Sequence, residues 1–170
     1  MSNDTVIRRY DAAAQAALVW ATVFTAFHVY WFCGGRFGFG DQPDPIPQTR
    51  SAGDVAFMVV TGGMFVAGFL VPSAVLARWG RNVPRRLLLA LALTGGALLL
   101  LRGVSGLVDD ALRTTGIATH GLTGMSNDEV LGDAHPTPYT WWSTVGIDST
   151  FALGGVLYGW LWWRLRSAWR

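Results

Sequence analysis

Apolar residues in this chain fall into four long blocks, with no sustained alternation between polar and apolar positions. The first, at 12–33, reads AAAQAALVWATVFTAFHVYWFC, and the second, at 55–77, VAFMVVTGGMFVAGFLVPSAVLA. The third, at 87–108, reads LLLALALTGGALLLLRGVSGLV, and the fourth, at 141–163, WWSTVGIDSTFALGGVLYGWLWW. Each is long enough to span a bilayer, since about 20 residues rising 1.5 Å each cross a hydrocarbon core of roughly 30 Å. The segments between them are polar. Pro43, Pro45 and Pro47 with several glycines break any helix across 34–54. The segment 109–140 is too long for a bare connection, and Ser126 with Glu129 has the spacing of a capping box for a short helix there. Leu107, Val108, Leu112 and Ile117 keep a rough helical spacing that carries the third helix onward. The pattern predicts an all-α fold, an integral membrane four-helix bundle forming one domain over 1–170, with outer loops at 34–54 and 109–140.

Composition agrees. The 170 residues are 51% hydrophobic and only 14% charged, against about 25% charge in an ordinary soluble domain. The 13 basic residues are all arginine. They sit at the ends of the apolar blocks and form no aromatic-interleaved patch, so no nucleic-acid partner is expected. Arg8 and Arg9, then Arg78, Arg81, Arg85 and Arg86, then Arg164, Arg166 and Arg170 fall on one side of a four-span layout. The acidic loops fall on the other. By the positive-inside rule both termini are cytoplasmic and the protein resides in the plasma membrane. A single cysteine, Cys33, excludes an intrachain disulfide. The bulky Tyr30, Trp31 and Phe32 before it argue against a cleaved signal.

Three titratable residues interrupt the apolar blocks: His28, Arg102 and Asp148. They lie about five, six and seven residues from the outer ends of their spans, which puts each Cα roughly 8–11 Å below the outer boundary. Thr61 falls at a similar level on the second span. The expectation is a polar layer of His28, Thr61, Arg102 and Asp148 in the outer leaflet. Asp148, Ala152, Gly155 and Gly159 share one helical face, as do Gly95, Leu98, Arg102 and Gly106. Gly62, Gly63 and Gly68 offer close helix approach on the second span. An Arg102–Asp148 ion pair that fixes helix register is the leading structural role for those two. For Arg102 the competing reading is snorkelling toward Asp109 and Asp110.

The chain lacks a Walker loop, GxSxG, HExxH and a dinucleotide fingerprint. His120, Asp128, Glu129, Asp133 and His135 match no metal-ligand spacing. No metal and no cofactor is expected. His28-Val29-Tyr30-Trp31 followed by Gly34-Gly35, and Leu101-Arg102-Gly103 in the third span, resemble elements of an uncharacterised family of small bacterial four-span membrane proteins, a domain of unknown function. The resemblance implies that the His28 and Arg102 positions belong to the family's pattern, and it supplies no activity. The leading functional expectation is a non-enzymatic bundle that binds membrane lipid or a small molecule, or joins a membrane-protein partner or a second copy. The alternative is a membrane-embedded enzyme using His28 and Asp148 for acid–base chemistry on a lipid-like substrate, with Arg102 holding its polar group. An ion-coupled transporter ranks last, because the inner halves of the spans offer few polar groups.

Overall fold

Each apolar block winds into a long helix, and each helix runs past the block that nucleates it. The computed structural model describes residues 3–41, 52–132 and 135–167, with side chains except at 3–11, 54, 57–58 and 60–61. The long helices are α1 (Asn3–Phe32), α2 (Ala52–Leu76), α3 (Arg85–Thr114) and α5 (Pro138–Ser167), with a short α4 (Asn127–Leu131) between the last two. A 3-10 turn at Arg78–Asn82 joins α2 to α3. The fold is all-α, with no strand among the described residues. Over Ala12–Phe32 and Arg85–Thr114 the helices are long and apolar enough to cross a membrane.

The ends of the elements follow local chemistry. After α1 the chain turns at Gly34, whose φ of 90° suits glycine. The N–H groups of Gly34 and Gly35 bond the carbonyls of Trp31 and Tyr30, each at 2.9 Å. The short α4 starts on the capping box read from the sequence: Ser126 accepts from the Glu129 N–H, and the Glu129 carboxylate accepts from the Ser126 N–H at 2.8 Å. The Ser126 N–H and, secondarily, the Ser126 hydroxyl both donate to the Glu129 carboxylate and hold it below its ordinary range. Beyond Thr114, the Asp109 carboxylate pairs with Arg113 one turn on and accepts from the Leu122 N–H, folding the next loop back onto α3.

Helices α3 and α5 form the most extensive contact, while α1 packs on both α2 and α5. Contact between α2 and α3 is sparse. The α3–α5 pair is antiparallel and built on glycine. A methyl group added at Gly103 would run into the backbone of Ala152 and Asp148, and one at Gly155 into Leu100. Gly96 faces Gly155 and Gly159 across the same seam. The glycine face on α3 is therefore Gly96–Gly103, one position along from the expected Gly95. Gly62, Gly63, Gly95 and Gly159 have open space at the Cβ position, and Gly68 alone among the expected α2 glycines meets a neighbour, the Tyr158 hydroxyl.

The distribution of size is inverted relative to a soluble protein. The buried hydrophobics are mostly alanine: Ala13, Ala14, Ala17, Ala21, Ala74 and Ala92. Large side chains such as Val19, Phe27, Val66, Leu93, Leu101 and Val156 face outward. Phe24, Tyr158 and Leu161 are the largest exceptions in the core.

Pro72 inside α2 explains Tyr158. Proline has no N–H, so the carbonyl four residues back, on Gly68, loses its helical donor. The Tyr158 hydroxyl donates to that carbonyl. A buried carbonyl left without a donor costs about 1–3 kcal/mol. Tyr158→Phe should therefore lower stability by about 1–2 kcal/mol, and in a Pro72→Ala background the same change should cost much less. Thermal unfolding of the four proteins of this double-mutant cycle checks it; equal losses in both backgrounds would break the link.

Candidate functional site

Between α1, α2, α3 and α5 lies a cavity of about 240 Å³. Its walls include Trp20 and Phe24 from α1, Phe65 from α2, Leu98 from α3, and Phe151 and Tyr158 from α5. It exists because α2 stands off from α3. Gly68 and Gly95, both on its wall, supply no side chain to fill it. The Trp20 indole is pinned by donating to the Thr150 carbonyl of α5 at 3.0 Å, and it stacks on Phe24 with ring centroids 4.6 Å apart.

His28 lines the cavity. Its Nδ1 lies 2.8 Å from the Phe24 carbonyl one turn back. A carbonyl oxygen only accepts, so Nδ1 carries the proton. In the neutral imidazole Nε2 is then an acceptor, and it has no partner among the described residues. Aromatic rings surround the imidazole: Phe24 at 4.2 Å, Phe65 at 4.8 Å, Trp31 at 5.2 Å and Phe151 at 6.4 Å between centroids. Thr25 and Thr94 also line the cavity. Elsewhere helical hydroxyls turn back onto their own helix, as in Thr22 to Leu18 and Ser73 to Phe69. The hydroxyls of Thr25 and Thr94 make no such bond.

Arg102 and Asp148 meet directly. Nη1 of Arg102 donates to Oδ1 of Asp148 at 2.7 Å, joining α3 to α5. Gly106 leaves the space for both groups. The Asp148 side chain is 3% exposed and that of Arg102 52%. Asp109, the other acid within Arg102's expected reach, is taken by Arg113. Asp110 lies close enough to Arg102 and Asp148 to feel both charges, and its Oδ2 is buried without a hydrogen bond.

The four expected residues thus separate. Arg102 and Asp148 form one unit on α3 and α5. His28 sits apart in its aromatic surround and bonds neither of them. Phe151 is the ring they share, with the Arg102 guanidinium carbon 5.2 Å from its centroid. Thr61 lies on α2, and its side chain is outside the described residues. The aromatic walls escaped the sequence reading, whereas the helical spacing of Thr25, His28 and Trp31 already put Thr25 on the His28 face. Among the described residues no group of His, Cys, Asp and Glu is placed to hold a metal ion; Asp133 lies outside them.

A family model described as "Protein of unknown function (DUF3995)" matches residues 21–158, which include His28, Arg102, Asp148 and every cavity-wall residue named above except Trp20. No curated protein and no solved structure matches the chain.

Proposed function

The chain belongs to the DUF3995 family of proteins of unknown function, and from that premise we propose that it is a multi-pass membrane protein that binds a lipid-like molecule inside its bundle. The observation that carries this reading is the cavity of about 240 Å³ enclosed by four helices and bordered by the sparse α2–α3 seam. Ligand sites of this kind are concave and mostly apolar, with a few placed polar groups. In a bilayer the seam faces lipid, so an apolar guest enters sideways without crossing water.

The membrane setting has its own support. Contiguous exposed apolar surface on this scale is a liability in water and ordinary in lipid. Small residues inside and large ones outside are what helix association in a bilayer favours, because close backbone packing there replaces the hydrophobic effect. The reading takes α1, α2, α3 and α5 as four spans. The arginine-rich ends support cytoplasmic termini by the positive-inside rule, and that topology puts the Arg102–Asp148 pair in the outer leaflet. The pair then serves register, while His28 serves the cavity.

The test is occupancy. Decane added to the protein in lipid nanodiscs should raise its unfolding temperature. In a Gly95→Leu variant, whose new side chain enters the cavity from an open position, decane should have little effect while the fold is retained. An equal response in both proteins would place the decane elsewhere and remove the cavity from the argument.

A further inference from the structure

Building on that cavity reading, we propose that the guest ends in a hydroxyl group: a single-chain or isoprenoid-type alcohol whose O–H donates to Nε2 of His28. Three features of the wall select this chemistry. The first is the direction of the available hydrogen bond. With Nδ1 committed to the Phe24 carbonyl, the neutral ring offers only an acceptor to the cavity. A guest ending in a carbonyl, ether or ester oxygen leaves Nε2 unmet.

The second is Thr25. It stands one turn from His28 on the same helix face, also on the cavity wall, with its hydroxyl uncommitted. Together the two residues present an acceptor and a donor side by side. An alcohol oxygen does both jobs at once: its proton goes to Nε2 and its lone pair receives the Thr25 hydroxyl. An alkane uses neither.

The third is the absence of charge. Among the described residues no Arg, Lys, Asp or Glu lines the cavity, and the nearby Arg102 is spent on Asp148. A carboxylate or phosphate would enter without a counter-ion, which a low-dielectric site penalises heavily. A primary ammonium would lack a carboxylate in the same way.

The orientation follows. His28 and Thr25 lie at one end of the wall, and Trp20 lies about 12 Å away along α1. The alcohol sits beside His28, and its chain runs toward Tyr158. The volume has room for about eight groups of water size, which suits a chain of roughly that many carbons or a folded isoprenoid.

Three ten-carbon probes test the assignment: decane, 1-decanol and decanoate, each titrated against the protein in nanodiscs with unfolding temperature as readout. After correction for membrane partitioning, decanol should bind about tenfold more tightly than decane, and decanoate should not exceed decane. His28→Leu should abolish the alcohol's advantage and keep the decane response, and Thr25→Val, a near-isosteric change, should reduce it. If decane and decanol act equally on the parent, or if the advantage survives His28→Leu, the hydroxyl assignment is overturned and the cavity stands. Tighter binding of decanoate overturns it as well. If none of the three shifts the parent, the cavity reading itself falls.

Discussion

Arg102→Ala should destabilise the protein more than Asp148→Ala, although each removes one half of the same bond. The reason lies in what remains. Without Arg102, the Asp148 carboxylate stays almost completely enclosed by α3 and α5 with its charge unmatched. Breaking a buried pair this way costs about 3–5 kcal/mol. Without Asp148, the Arg102 side chain is already half exposed and long enough to swing away from the bundle. That loss should be about 1–2 kcal/mol, within the range of a hydrogen bond to a charged group. Replacing both by apolar residues of similar size, Arg102→Met with Asp148→Leu, should recover most of the stability, as such replacements do elsewhere. Unfolding temperatures in detergent of the parent, the two singles and the double decide it. A larger loss for Asp148→Ala would mean that Arg102 is the more trapped charge, contrary to its exposure.

A single methyl group at Gly103 should be nearly as damaging. Its Cβ would occupy space held by the backbone of Ala152 and Asp148, which cannot rotate aside. Helices α3 and α5 must then move apart along the best-packed seam of the bundle. Overpacking of this kind costs about 1–3 kcal/mol, and here it also pulls on the Arg102–Asp148 bond. Gly159→Ala is the matched control: it lies on α5, its Cβ position is open, and alanine is the better helix former. Gly103→Ala should lower the unfolding temperature while Gly159→Ala leaves it unchanged or raises it. Similar behaviour of the two would show that the seam is looser than its backbone spacing indicates.

Helix positions were legible in the sequence because they depend on one quantity, the length of each apolar run. The common level of Arg102 and Asp148 along the bundle was legible for a related reason: counting residues from each block's end puts them side by side, and small residues beside both indicate that they face a neighbour. Rotation about each helix axis was not. On α3, leucines surround the helix, so no polar face fixes which side turns inward, and the reading chose Gly95 where Gly96 makes the contact. The same ambiguity grouped His28 with the ion pair. Equal depth puts residues in one plane without saying which are adjacent, and Phe151 stands against both. The Asp109–Arg113 pair was visible as a four-residue spacing on the stretch that carries the third helix onward, and α3 does run on to Thr114 there. The Tyr158–Gly68 bond was beyond reach. It joins positions 90 apart: proline in a helix announces an orphaned carbonyl, but which side chain meets it is settled by packing.

The alanine-lined interior has a consequence for how the protein tolerates change. In a soluble domain, trimming a large core residue opens a void, and that is where substitutions do most harm. Here the sensitive direction is reversed. In the proposed membrane setting, Leu101, Val66 or Phe27 should be exchangeable for another apolar residue with little effect, because surrounding lipid would adapt to the new shape. Ala13, Ala17, Ala92 and Gly103 cannot grow by even one carbon without prising two helices apart. A scan of every position would therefore score the bulkiest side chains as the most replaceable and the smallest as the least.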